Sequence, residues 1–137
     1  MKVFLDTNVV IDFMGEREDF FEDASVIFSM ISDGTIHASV SALTVVNCAY
    51  ILRKAFSSDI MLEKIEALCQ ILEVMPIEKR QLQEAIRLKV DDYEDAVQYF
   101  SALPYHPDVI LTRDKRGFQN FGILVMTPKE FIKRVKE

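Results

Sequence analysis

MKVFLDTN, residues 1–8, is the stretch whose reading decides the fold. Val3, Phe4 and Leu5 form an apolar run without polar alternation. Such a run predicts a strand covered on both faces, as in a parallel sheet flanked by helices. Asp6 follows at its carboxyl end. Ligands of open parallel sheets sit in the crevice beyond those ends, so Asp6 stands where a first strand would hand a carboxylate to a site. A second passage of this kind lies far along the chain, where DVILT (108–112) runs into Arg113 and Asp114.

Between and beyond these two passages, helix and strand patterns alternate. A short helical turn is predicted from Val9 to Met14, stopped at Gly15. Phe20, Phe21, Ala24, Ile27, Phe28 and Ile31 recur at helical steps before Asp33-Gly34. Thr35–Val40 reads as a second strand, and Ser41 as the cap of a helix over Ala42–Ala55. Further helices are expected at Ile60–Leu72, Lys79–Lys89 and Tyr93–Leu103. Strands are expected at Val74–Ile77, Asp108–Leu111 and Ile123–Met126, and Thr127-Pro128 opens a terminal helix. This alternation predicts an α/β protein: a three-layer α/β/α sandwich on a central, mainly parallel sheet of about five strands. Residues 1–137 read as one domain, with no repeat and no linker.

Composition narrows the function classes. Half of the 137 residues are apolar and 28% are charged, as in ordinary globular proteins. No apolar run is long enough to span a membrane, and Asp6 interrupts what would be the core of a signal peptide. Cys48 and Cys69 lack zinc-like spacing and are expected to be reduced core residues of a cytoplasmic protein. The net charge of −6 weighs mildly against a nucleic-acid partner. Basic residues nonetheless cluster at 113–116 and in the tail, while residues 16–23 are acidic.

The candidate chemistry lies in acids and amides. Asp6 ends strand one, Asp114 follows strand four, and Asp92, Glu94 and Asp95 open the helix near Tyr93. If strands one and four are neighbours, these groups can converge. Carboxylates held together repel one another and gain proton affinity, which a divalent cation relieves. An oxygen-only ligand set favours Mg²⁺ or Mn²⁺, and such a site suits phosphodiester hydrolysis. Each piece also has a plain structural use. Asp6-Thr7-Asn8 can cap a helix, Asp92 and Asp95 can complement a helix dipole, Asn47 can be a hydrogen-bonded core amide, and Asp114 can be a turn residue.

Four motifs in order, DTN, SALTVVNCAYILRK, DDYEDAVQYFSA and DVILTRDKRGF, resemble the PIN-domain family over essentially the whole chain. The likeness is to the VapC-like bacterial branch with Asn in the second motif. It implies a metal-dependent ribonuclease fold. By that resemblance Asp6, Asp95 and Asp114 are metal carboxylates, and Asn47 stands where many members place Glu. Thr112 would orient a carboxylate or water, with Asn8 and Asp92 in support. Arg53, Lys54, Arg113, Lys115 and Arg116 would contact the RNA backbone. The resemblance further implies cleavage leaving a 5′-phosphate, a possible antitoxin partner and a homodimer. Two positions depart from the family pattern. Asn47 adds no charge, and Gly117 occupies a place where relatives often carry another Asp.

Other classes fit less well. A haloacid-dehalogenase-type phosphatase needs a second Asp two positions after Asp6, where Asn8 stands. A receiver domain needs an acidic pair after strand one, which is absent. A non-catalytic PIN module binding RNA or a protein is the serious alternative, favoured by Asn47 and the acidic charge.

Overall fold

The computed structural model describes residues 1–137. Five parallel strands, β1 (Lys2–Leu5), β2 (His37–Ser41), β3 (Glu73–Met75), β4 (Val109–Leu111) and β5 (Val125–Met126), form one sheet in the order β3-β2-β1-β4-β5. The helices are α1 (Thr7–Met14), α2 (Phe21–Ser32), α3 (Ala42–Leu52), α4 (Ser58–Ile71), α5 (Lys79–Leu88), α6 (Tyr93–Ala102) and α7 (Pro128–Lys136).

The apolar first strand is central because both of its faces are covered. Val3 and Leu5 join Val40, Val109 and Leu111 in a core closed by α1, α2, α3, α4 and α7. Phe4 and Ile110 point the other way, onto Ala102, Tyr105 and Phe118. Of the six β1 and β4 side chains named here, all but Val109 at 1% are fully inaccessible to solvent. Each such burial contributes about 1.5–3 kcal/mol. Helix α6 lies on the second face, and α5 packs over it through Ala85, Ala96 and Val97.

Side-chain caps set where the helices begin. Ser41, Ser57, Asp92 and Thr127 each accept a backbone N–H two or three residues into the following helix, worth about 1 kcal/mol apiece. Pro76 has no N–H to offer a ladder, so β3 covers Glu73–Met75 rather than Val74–Ile77. Helix α3 stops at Leu52, three residues short of the expected Ala55.

The cysteines divide. Cys48 is buried, and burial pushes its thiol up to about 12. Cys69 is exposed, against the expectation of two core cysteines. Helix α4 fully buries Leu68 alone, and the adjacent position turns outward. No helix is long and apolar enough to cross a membrane.

Register positions the site. Leu5 pairs with Leu111 and Phe4 with Ser39, so Asp6 stands level with Thr112 on one side and Ser41 on the other. The Asp6 N–H donates to the Leu111 carbonyl at 3.0 Å, and the Thr112 N–H to Met126 at 3.0 Å. Three polar residues thus close the carboxyl edge of the sheet at the ends of its three middle strands.

Candidate active site

Asp6 is the N-cap of α1, and both of its oxygens are engaged. Oδ1 accepts from the Thr7 N–H at 2.7 Å and from Gln98 Nε2 at 2.8 Å. Oδ2 accepts from the Thr112 hydroxyl at 2.8 Å and from Asn8 Nδ2 at 3.3 Å. Four donors from three elements hold one carboxylate in a single orientation. Behind it, the Thr7 and Thr44 hydroxyls share a hydrogen bond at 2.8 Å, and the Thr44 hydroxyl donates to Gln98 Oε1 at 3.3 Å.

The opposing wall is the first turn of α6. Asp92 caps the helix by accepting the Asp95 N–H at 3.0 Å, rather than standing in its first turn as a dipole-complementing acid. Glu94 and Asp95 follow, and Gln98, one turn on from Glu94, donates through the same Nε2 to Asp6 and to Glu94. Asp6, Glu94 and Asp95 each bring one carboxylate oxygen within 4.8 Å of the other two.

This crowding shows in their proton affinities. Desolvation, with the charges of Asp6, Asp92 and Glu94, pushes the Asp95 carboxyl up to about 8. Desolvation first and the charge of Asp6 next push Glu94 upward, opposed by its hydrogen bond from Gln98. Asp95 also explains Gly117: a Cβ at residue 117 would collide with the Asp95 carboxylate. The glycine that interrupts the family pattern is the seat of this acid.

Asp6, Asp92, Glu94, Asp95 and Asp114 line a cavity of about 310 Å³ in which Arg17 is the one cation. Asp114 reaches it in a different state. It caps a 3₁₀ turn over Lys115–Phe118 and accepts from the Arg116 N–H at 3.1 Å, Nε at 2.9 Å and Nη2 at 2.8 Å. Those bonds from Arg116 hold its carboxyl down at about 2. Asp114 therefore lines the cavity but stands outside the trio of mutually close carboxylates.

The other expected site residues distribute unevenly. Asn8 and Thr112 both touch Asp6, and the Asn8 side-chain oxygen Oδ1 accepts the Arg113 backbone N–H at 3.2 Å. Asn47 is half-buried, makes no side-chain hydrogen bond and does not line the cavity. Thr44, Cys48 and Leu52 form the inward stripe of α3, so Thr44 supplies that helix's contact with the site.

The five basic residues expected at a nucleic-acid surface all have partners within the chain. Arg53 and Lys54 lie over the Tyr50 ring at 4.0 and 5.8 Å. Arg113 pairs with buried Asp12 and covers the Phe20 ring at 4.0 Å. Lys115 pairs with Glu130 at 3.1 Å, and Arg116 with Asp114.

Glu94 was named among the acids that open α6 but given no role, and Gln98, Thr44, Asp12 and Arg17 were not singled out from the sequence as site residues. For Glu94 and Gln98 a signal existed: their four-residue spacing in DDYEDAVQ stacks them on one helix edge beside Asp95. For Thr44, Asp12 and Arg17 the sequence carried none.

A PIN domain family model matches residues 2–116. The chain belongs to the PIN-domain family. This PIN domain is 29% identical to ribonuclease VapC1 of Aquifex aeolicus (strain VF5) over 138 residues, spanning 97% of this chain and 94% of that protein. Its fold resembles FitAcB of Neisseria gonorrhoeae, with TM-score 0.69 at 17% identity over 93% of this chain and 98% of that one. It also resembles DNA-bound VapBC of Salmonella typhimurium, with TM-score 0.67 at 19% identity over the same shares of the two chains. A toxin–antitoxin complex from Klebsiella pneumoniae matches with TM-score 0.66 at 18% identity, over 92% of this chain and 97% of that one. The mainly parallel sheet of about five strands expected from the sequence is observed, with five strands that are all parallel.

Proposed function

We propose that this PIN domain is a divalent-metal-dependent endoribonuclease acting as the toxin of a toxin–antitoxin pair. The observation that carries this reading is the convergence of Asp6, Glu94 and Asp95 within 4.8 Å at the carboxyl edge of the sheet. The donors are all hard oxygens, and Asp95 is pushed toward protonation by burial and like charge. Such a set fits Mg²⁺ or Mn²⁺, whose charge would offset the repulsion. When bound, the ion would polarise a phosphodiester and activate water for attack.

The chain's own residues have separable tasks in this proposal. Asp6, fixed by four donors, is the rigid ligand. Asp95 is the ligand that must shed a proton before it can serve. Glu94 stands at the exposed rim with raised proton affinity, suited to accept a proton from attacking water. Gln98 keeps Asp6 and Glu94 apart by donating to both. Asp114 is a further ligand once it leaves Arg116. Asn47 has no part in this arrangement unless α3 rotates.

The relative named a ribonuclease and the neighbours named as toxin–antitoxin complexes support RNA as substrate and an antitoxin protein as partner. A homodimer and a cytoplasmic location belong to the same proposal. The exposed apolar Val46, Tyr50 and Leu62 of α3 and α4 are surfaces a second copy would cover. Sedimentation of the purified chain tests the dimer.

The alternative is a PIN module that binds RNA or a partner protein without cleaving. Asn47 outside the cavity and Asp114 tied to Arg116 favour it. Cleavage of labelled single-stranded RNA by wild type and Asp6→Asn, with and without EDTA, decides between them. Cleavage that needs both Asp6 and metal supports the nuclease. No cleavage by wild type, or equal, metal-independent cleavage in both proteins, rejects it.

A further inference from the structure

A phosphodiester approaching five carboxylates needs positive charge close by. The conspicuous candidates, Arg53, Lys54, Arg113, Lys115 and Arg116, are held by rings or carboxylates within the chain. Arg17 differs from all of them. It is the single cation lining the acidic cavity, and its guanidinium makes no hydrogen bond within the chain. Its five N–H donors are therefore uncommitted.

Its placement is nevertheless fixed. The Arg17 N–H donates to the Asp12 carbonyl at 3.1 Å, and the Arg17 carbonyl accepts from Phe20 and Phe21 at 3.0 and 2.7 Å. The backbone after α1 is thus tied on both sides. Asp12 is 1% exposed, its Oδ2 holds Arg113, and its Oδ1 has no hydrogen-bond partner. That orphaned oxygen lies 4.0 Å from Arg17 Nη1. At this distance it attracts the guanidinium without saturating it, and so keeps the charge at the cavity wall.

We infer that Arg17 is a substrate-binding residue that clamps a phosphate of the RNA strand at the acidic cavity, with Asp12 as its positioning residue. A guanidinium fork matches phosphate oxygens bidentately, which a lysine cannot reproduce. Clamping draws Arg17 off a long ion pair, Nη1 to Asp12 Oδ1 at 4.0 Å with no hydrogen bond formed, so little interaction is lost. This inference rests on the nuclease reading for its substrate class.

The test uses the full-length protein with Mn²⁺ and a fluorescein-labelled 2′-O-methyl RNA hexamer, which binds without being cleaved, read by anisotropy. Arg17→Ala is expected to weaken hexamer binding by about 10–100-fold. Arg17→Lys recovers part of the loss, and Lys133→Ala on α7 changes binding less than about twofold, as a lone exposed charge should. Mn²⁺ affinity and melting temperature stay at wild-type values in Arg17→Ala, which a merely structural role would not allow. The inference falls if wild type binds no hexamer, if Arg17→Ala binds like wild type, or if Lys133→Ala loses as much. RNA cleavage separates this outcome from the parent reading. Asp6-dependent cleavage with unchanged Arg17→Ala binding overturns the clamp and keeps the nuclease. Arg17-dependent binding without any cleavage keeps the clamp and overturns the nuclease.

Discussion

Asp95 and Asp114 are the same residue type, both face one cavity, and both were expected to hold metal, yet their surroundings drive them in opposite directions. Asp95 sits on Gly117 among Asp6, Asp92 and Glu94, and loss of water pushes it up to about 8. Asp114 stands in solvent, where Arg116 grips both of its oxygens and holds it down at about 2. The first is a carboxylate short of positive charge. The second already has its counter-ion. A cation entering the cavity relieves repulsion at the α6 wall, whereas at the loop it must displace a guanidinium. The α6 wall and Asp6 are therefore the strong half of the site, and the loop is the adjustable half.

The largest expected effect comes from removing the anchor of the strong half. Asp6→Asn should lower RNA cleavage by more than about 100-fold, since even outer-shell partners of metal ligands are worth 10–100-fold. Isothermal titration should show Mn²⁺ affinity falling with it. Cleavage within a few-fold of wild type would erase the distinction between the halves.

Next in size is the seat under Asp95. Gly117→Ala places a methyl group where the Asp95 carboxylate lies, and should cost about tenfold in Mn²⁺ affinity by re-aiming that ligand. Retention of wild-type affinity would mean that Asp95 can turn without penalty.

The pH dependence of stability sharpens the contrast further. Between about 4 and 8 the folded chain keeps a proton on Asp95 that the unfolded chain, near its ordinary 3.8, has released. Metal-free stability should therefore fall as pH rises through that window, with Glu94 acting in the same direction. Allowing for the half-open cavity, the loss is about 1–2 kcal/mol, or about 3–8 °C in melting temperature from pH 5.5 to 8. Asp95→Asn should flatten the slope, and Mn²⁺ should stabilise more at pH 8 than at 5.5. Asp114 has the opposite sign: its contribution is complete above about pH 4 and fades only as pH falls toward 2. A rise in metal-free melting temperature from pH 5.5 to 8 would contradict the assignment.

The smallest effect belongs to the loop. Arg116→Ala frees Asp114 from an exposed pair, and should raise Mn²⁺ affinity by about two- to threefold. A large loss would show that Arg116 holds Asp114 in place for the ion rather than away from it.

Much of the architecture could be read in advance because it follows from local chemistry. Val3–Leu5 has no polar alternation and lies in the middle of the sheet. Ser41 and Thr127 cap the helices that their side chains suit. Errors came at edges, as at Pro76, and where one helical step decides a face, as at Cys69 beside Leu68. In the site, DTN and DDYED marked the right neighbourhoods, but Asp6 and Asp95 lie 89 positions apart in the chain. Nothing in either motif shows that Thr44 faces inward in place of Asn47, or that Gly117 receives a carboxylate.

What the sequence determined by itself, then, is the parallel sheet with its central strand and the acidic character of that strand's carboxyl edge. Apolar runs, helical periods and caps act over a few residues, so their consequences are written locally. Which carboxylates share a cavity, which cations are already spent, and which guanidinium is left facing the acids were decided by the tertiary structure alone. Charge and hydrogen bonding depend on separation through space and on lost water, and neither exists until strands and helices have been packed.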